Sequence, residues 1–108
     1  MTRILLDQNV PAALRHLLKE PTATTQQMGW GRLSNGDLLA EAESAGFNIL
    51  ITADHSIGYQ QNLSKRKIAL IILHTNRWRS VREHAAELDR AIANAKPGTY
   101  QHIAMAKR

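Results

Sequence analysis

Three of the chain's four aspartates stand where the sequence changes character. Asp7 closes the apolar run Ile4-Leu5-Leu6, Asp54 closes Ile49-Leu50-Ile51-Thr52-Ala53, and Asp37 follows Ser34-Asn35-Gly36 at a helix start. Carboxylate oxygens are the ligands that hard divalent cations prefer. A site with few protein carboxylates leaves positions for water and for a substrate phosphate. Mg²⁺ or Mn²⁺ held by Asp7, Asp37 and Asp54 would activate a water and neutralise charge developing on a phosphodiester. Taken singly, each aspartate is as well explained as a loop opener or helix cap, and Asp37 by the helix dipole alone. The repetition of an acid at the mouths of two apolar runs carries the metal reading. Repulsion among three such acids is expected to raise at least one carboxyl pKa. Zinc ligation is less supported, because His16, His55, His74, His84 and His102 follow no metal-binding spacing.

The elements that must position these acids follow from pattern. Ile4-Leu5-Leu6, Ile49-Leu50-Ile51 and Ile68-Ala69-Leu70-Ile71-Ile72-Leu73 are short and wholly apolar, as strands buried on both faces of a sheet are. Alternation with helical segments predicts that they run parallel at the sheet centre, so that Asp7, Asp54 and the loop His74-Thr75-Asn76-Arg77-Trp78-Arg79 share one edge. That edge is where open α/β sheets bind ligands. Val10 to Lys19 reads as a helix capped by Asn9, with Leu14, Leu17 and Leu18 on one face. Thr22 to Gln27 reads as a less apolar strand, and Met28 to Leu33 as a loop in which Trp30 is a packing plug. Ser34 or Asn35 caps a helix that buries Leu38, Leu39 and Ala42. Ser80, with Glu83 at capping-box spacing, opens a helix with the stripe Val81, Ala85, Leu88 and Ile92, and Tyr100 to Met105 is a final edge strand. The expected architecture is a single domain over residues 1–108, an α/β three-layer α/β/α sandwich with a mainly parallel central sheet.

Charge and composition bound the partners. The net charge is +5, but residues 1–64 carry four Lys/Arg against six Asp/Glu, whereas residues 65–108 carry ten against three. A basic half beside an acidic crevice suits a polyanion held while its backbone is attacked, with Arg77, Trp78 and Arg79, and the cluster of Lys65 and Arg66, as the groups that bind it. With no cysteine there are no disulfides or thiolate metal sites. No apolar run approaches the roughly 20 residues that span a bilayer. No membrane association and a cytoplasmic location are therefore expected.

The motifs Ile4-Leu5-Leu6-Asp7-Gln8-Asn9-Val10-Pro11, Gly29-Trp30, Asn35-Gly36-Asp37-Leu38-Leu39, Ala45-Gly46-Phe47, Thr52-Ala53-Asp54, Tyr59-Gln60-Gln61-Asn62-Leu63, Asn76-Arg77-Trp78 and Pro97-Gly98-Thr99-Tyr100 run the length of the chain. Together they resemble the small PIN-like nucleases of bacteria and archaea related to VapC-type toxins. The resemblance implies a PIN-like fold and metal-dependent cleavage of single-stranded RNA. Asp7 matches the first-strand metal ligand, Asp37 the acid after the Gly-Trp loop and Asp54 the acid of the Thr-x-Asp turn, with Asn9, Thr52 and Ser56 as supporting groups. It also implies toxin activity restrained by a small antitoxin-like protein, and a homodimer is the other association it allows. Many PIN-like sequences have a further Asp where Ser56 stands, and some a Glu where Gln8 stands, so this pocket is less acidic.

Two readings compete. One is a catalytically weak PIN-like scaffold that binds RNA or a partner protein. The other is a phospho-accepting receiver domain, in which Asp54, Thr75 and Lys107 would be the acceptor, hydroxyl and lysine. Paired acids usually open a receiver, and here Gln8 follows Asp7.

Overall fold

The two shorter apolar runs and most of the third form strands that are buried throughout: β1 (Ile4–Leu6), β3 (Ile49–Thr52) and β4 (Ala69–Leu73). A computed structural model describes residues 2–57 and 63–105. Two edge strands, β2 (Thr22–Thr24) and β5 (Tyr100–Ile103), complete a five-stranded sheet of order β2-β1-β3-β4-β5. Every neighbouring pair is parallel, with Leu5 opposite both Ala23 and Leu50, Ile51 opposite Ile71, and Ile72 opposite His102.

Side chains alternate across a strand, so each run supplies both faces. Ile4, Leu6, Ile49, Ile51, Ala69, Ile71 and Leu73 enter one core together with Leu14, Val81, Leu88 and Ile92. Leu5, Leu50, Leu70 and Ile72 enter the other with Leu38, Leu39, Ala42 and Phe47. Two cores on opposite faces of one parallel sheet are the α/β/α layering that the sequence predicts.

The helices depart from expectation where polar side chains find other work. Asn9 does not cap the following segment, because its Oδ1 accepts the Ala53 N–H at 3.0 Å. Pro11 starts a 3-10 turn, Ala12–His16, instead of a helix reaching Lys19; Leu14 is buried and Leu17 is 40% exposed. The strand predicted to Gln27 stops at Thr24. There the Thr24 hydroxyl accepts the Gln27 N–H and the Gln27 side chain accepts the Thr24 N–H, and this reciprocal box opens the short helix α1 (Thr25–Met28). Trp30 packs as a plug, edge-on to Phe47 with centroids 6.0 Å apart. Helix α2 (Asn35–Ser44) is capped by Ser34 and buries Leu38, Leu39 and Ala42, as its sequence predicts.

The helix expected from Ser80 is two helices, α3 (Trp78–Glu83) and α4 (Ala85–Asn94), broken at His84. Ser80 lies inside α3, so the box with Glu83 does not form; the Ser80 carbonyl is instead met by His84 Nδ1 at 2.8 Å. Of the predicted stripe, Val81, Leu88 and Ile92 are buried and Ala85 is half-buried. Before β5, Gly98 has φ +76°, and a Cβ there would stand 2.8 Å from the Leu63 carbonyl oxygen. Only glycine meets both conditions.

Candidate functional site at the carboxyl ends of β1 and β3

In the order β2-β1-β3-β4-β5 the chain first moves outward from β1 and then returns to build on its other side. Loops leaving β1 and β3 therefore diverge, and the carboxyl ends of these two strands are where an open parallel sheet places its ligand crevice. Asp7 and Asp54 lie there. Asp7 extends β1 by donating its N–H to the Ile51 carbonyl at 2.9 Å, and its own carbonyl accepts the Val10 N–H at 3.0 Å, turning the chain away. The residue is buried, 9% exposed.

Thr52, fully buried at the end of β3, joins the two acids. Its hydroxyl lies 2.8 Å from Asp7 Oδ2 and 3.4 Å from Asn9 Oδ1. With one proton to give, it donates to the nearer, charged acceptor. The same oxygen accepts the Asp54 N–H at 3.1 Å. Asp7 Oδ1 accepts the Gln8 N–H at 2.8 Å. Asp7, Asn9, Thr52 and Asp54 thus form one network across the mouths of adjacent strands.

Asp54 is held from its other side. Its Oδ1 accepts the Ser56 hydroxyl at 2.7 Å and the Ser56 N–H at 3.0 Å, and its Oδ2 accepts Asn35 Nδ2 at 3.2 Å. The Ser56 hydroxyl is the largest influence and lowers the Asp54 pKa; burial opposes it, while the Ser56 N–H, Asn35 and the charge of His55 add to the lowering. The direction at Asp54 is opposite to the rise expected from repulsion, because hydrogen-bond donors to the ionised form outweigh the cost of burial.

The structure therefore gathers Asp7, Asn9, Thr52, Asp54 and Ser56. Asp37 is exposed in the first turn of α2. From that turn it is Asn35 that reaches the crevice, and a cue lies in the sequence: Ser34 serves as the cap, which leaves the next amide available. Among the described residues, no group of three His, Asp or Glu side chains is placed to hold a metal ion, so the trio Asp7, Asp37 and Asp54 is not assembled as one ligand set. The donors present, two carboxylates with amide and hydroxyl oxygens, have the chemistry of a hard cation bound largely through water.

The basic residues divide between the two edges of the sheet. Arg77 caps α3 just beyond β4, exposed and on the same edge as Asp54, and its N–H meets the Thr75 hydroxyl at 3.3 Å. Arg79 is exposed and pairs with Glu83 at 3.8 Å. Trp78 is half-buried against the core that contains Leu73 and Val81. Lys65 and Arg66 precede β4 and so lie at the opposite edge, where Arg66 pairs with Glu43 at 3.2 Å. The motif residues Tyr59 to Asn62, and Lys107, lie outside the described residues.

Sequence spacing also missed a cluster. His55 after β3, His74 after β4 and His102 in β5 come together, with ring centroids 5.8 Å apart for His55 and His74 and 6.3 Å for His55 and His102. His55 Nε2 donates to the His74 carbonyl at 3.1 Å. Register brings them to one edge, and separations of 19 and 28 residues carry no motif.

Fold and site together define a parallel α/β domain with an acidic, hydrogen-bonded crevice at its topological switch point. The chain matches no family model, no curated protein and no solved structure. Among the described residues no helix is long and apolar enough to cross a membrane.

Proposed function

We propose that the chain is a metal-dependent endoribonuclease of PIN-like type that cleaves single-stranded RNA, working in the cytoplasm as the toxin of a toxin–antitoxin pair. The observation that carries this reading is the Thr52 hydroxyl tying Asp7 to the Asp54 backbone at the switch point, which sets two carboxylates at one crevice. Asp7 and Asp54 would hold Mg²⁺ or Mn²⁺ through Asp7 Oδ1, Asp7 Oδ2 and Asp54 Oδ2, which accept one hydrogen bond each from Gln8, Thr52 and Asn35, whereas Asp54 Oδ1 already accepts two from Ser56. When bound, such a cation supplies an activated water and neutralises charge on the phosphodiester. Thr52 and Asn9 orient Asp7 and the turn, Ser56 and Asn35 keep Asp54 ionised, and Arg77 on the same edge attracts the phosphate backbone. Asp37 is a separable third acid, whose weight is measured by comparing Asp37→Asn with Asp7→Asn.

A second reading, an RNA-binding scaffold with little catalysis, is favoured by one feature: both Asp54 oxygens already accept protein donors, and among the described residues no third acid joins the pair. Thermal melting with and without millimolar Mn²⁺, combined with cleavage of a mixed-sequence RNA, separates the two. The nuclease reading expects a metal-dependent rise in Tm by mass action and cleavage that is lost in Asp7→Asn. A wild type with neither Tm shift nor cleavage, but with RNA binding, is the scaffold.

A further inference from the structure

We propose that the chain binds a small monocarboxylate with a compact apolar body, in a cavity at the amino ends of β3 and β4 on the sheet edge opposite Asp7 and Asp54. The cavity has a volume of about 170 Å³. Its floor is apolar. Ile49 and Ala69, opposite each other in the register of β3 with β4, line it together with Ile92 of α4, and all three are buried. Every other residue that β1, β3 and β4 turn to this face is an isoleucine or a leucine, so the short side chain of Ala69 leaves volume unfilled. A dry apolar cavity of about 150 Å³ holds benzene, so this floor takes a group of about six carbons.

The mouth is polar and its charge is of one sign. Thr2, Asn48 and Lys67 line it, the last two exposed. Lys67 is the one charged residue of the lining, and among the described residues no ion pair holds its ammonium. Glu43, which accepts the Lys67 backbone N–H at 3.4 Å, is committed to Arg66 at 3.2 Å. Asn48 accepts the Arg3 N–H on Oδ1 at 2.8 Å, which leaves its amide nitrogen as a second donor. An ammonium and an amide N–H above an apolar floor match a carboxylate set on an apolar body. A neutral apolar ligand would leave both donors without an acceptor, and a bare anion would leave the floor unfilled. Asn48 and Lys67 precede β3 and β4, whereas Asp7 and Asp54 follow β1 and β3, so the two sites stand at opposite ends of parallel strands. The inference does not rest on the RNA reading.

The test is an NMR titration of the isotope-labelled full chain with benzoate, read through its amide shifts, with benzamide and acetate as controls. Benzoate is expected to bind with a Kd of about 1 mM or tighter, within reach of a ligand of about nine heavy atoms. It should shift the amides of Asn48, Ala69 and Ala95 and leave those of Asp7 and Asp54 in place. Benzamide lacks the charge and acetate lacks the body, so each should bind about tenfold more weakly or worse. Lys67→Met keeps the aliphatic stem and should weaken benzoate about fivefold or more, whereas Lys67→Arg should retain it within about threefold. Ala69→Val extends into the cavity and should also weaken benzoate, with Tm unchanged or raised as the space fills. Lys67 is on the surface, so its variants decide the matter even where Ala69→Val disturbs the core. Benzamide binding as tightly as benzoate would overturn the proposal, as would Lys67→Met matching wild type or shifts gathered around Asp7 and Asp54. Acetate matching benzoate would overturn it too, since a counter-ion at Lys67 needs no cavity.

Discussion

Thr52 is a single hydroxyl with two obligations, one to a buried carboxylate and one to a backbone N–H. Thr52→Val keeps the shape and removes both. It is expected to lower unfolding stability by about 1–3 kcal/mol, read by urea denaturation, because a buried polar group that loses its partner keeps its desolvation penalty. Ser56 acts on charge. Its hydroxyl is the largest cause of the lowered Asp54 pKa, so Ser56→Ala moves that pKa up toward the ordinary carboxylate range. A carboxylate whose folded pKa is depressed contributes stability that is present above its unfolded pKa and is lost as pH falls through the folded one. Wild type should therefore be more stable than Ser56→Ala at neutral pH, by about 0.5 kcal/mol after allowance for solvent exposure. The difference should close in acid. Melting curves from neutral pH downward, with an NMR titration of the Asp54 carboxyl, check both sign and window.

Elements set the site through how they begin and end. The strand β2 stops where Thr24 turns its hydroxyl to Gln27, and Thr24→Ala should destabilise the fold by about 1 kcal/mol with α1 as the first region to lose amide protection in hydrogen exchange. The approach to β5 depends on Gly98. An alanine there adds roughly 1–2 kcal/mol for the left-handed backbone before its Cβ meets the Leu63 carbonyl oxygen. Because β5 follows directly and, among the described residues, pairs only with β4, Gly98→Ala should lower Tm with β5 the first strand to lose amide protection in hydrogen exchange.

Over the whole molecule, a parallel sheet sends residues that leave its strands to one edge and residues that enter them to the other. Arg77 leaves β4 and shares the edge of Asp7 and Asp54, while Lys65 and Arg66 enter β4 from the other edge. Removal of Arg77 is expected to weaken single-stranded RNA binding about two- to fivefold and to make its dependence on salt shallower. Lys65→Ala and Arg66→Ala should leave affinity within about twofold, and Arg66→Ala should cost at most about 1 kcal/mol of stability through its pair with Glu43. Affinity measured across a salt series separates the two edges. Equal losses at both would mean that charge over the whole surface, and not the edge, attracts the RNA.

Local chemistry determined a good deal by itself. Apolar runs too short and too continuous for surface helices had to be buried strands, and their alternation with helical segments had to make them parallel. Both conclusions rest on periodicity and the length a crossover needs. Asp7 and Asp54 were legible for the same reason, since an acid after a buried run must sit at a strand mouth. The caps were less so. Asn9, Thr24 and Ser80 each have more than one backbone partner within reach of a short side chain, and only the packed fold chooses: Ala53 took Asn9, Gln27 took Thr24, and His84 reached the Ser80 carbonyl. Which residues meet Asp54, that α2 delivers Asn35 to it, and that His55, His74 and His102 meet, were decided by strand order and register. Those relations join residues far apart in the chain. No local pattern encodes them, because the energy that brings such residues together is the burial of the apolar strands between them.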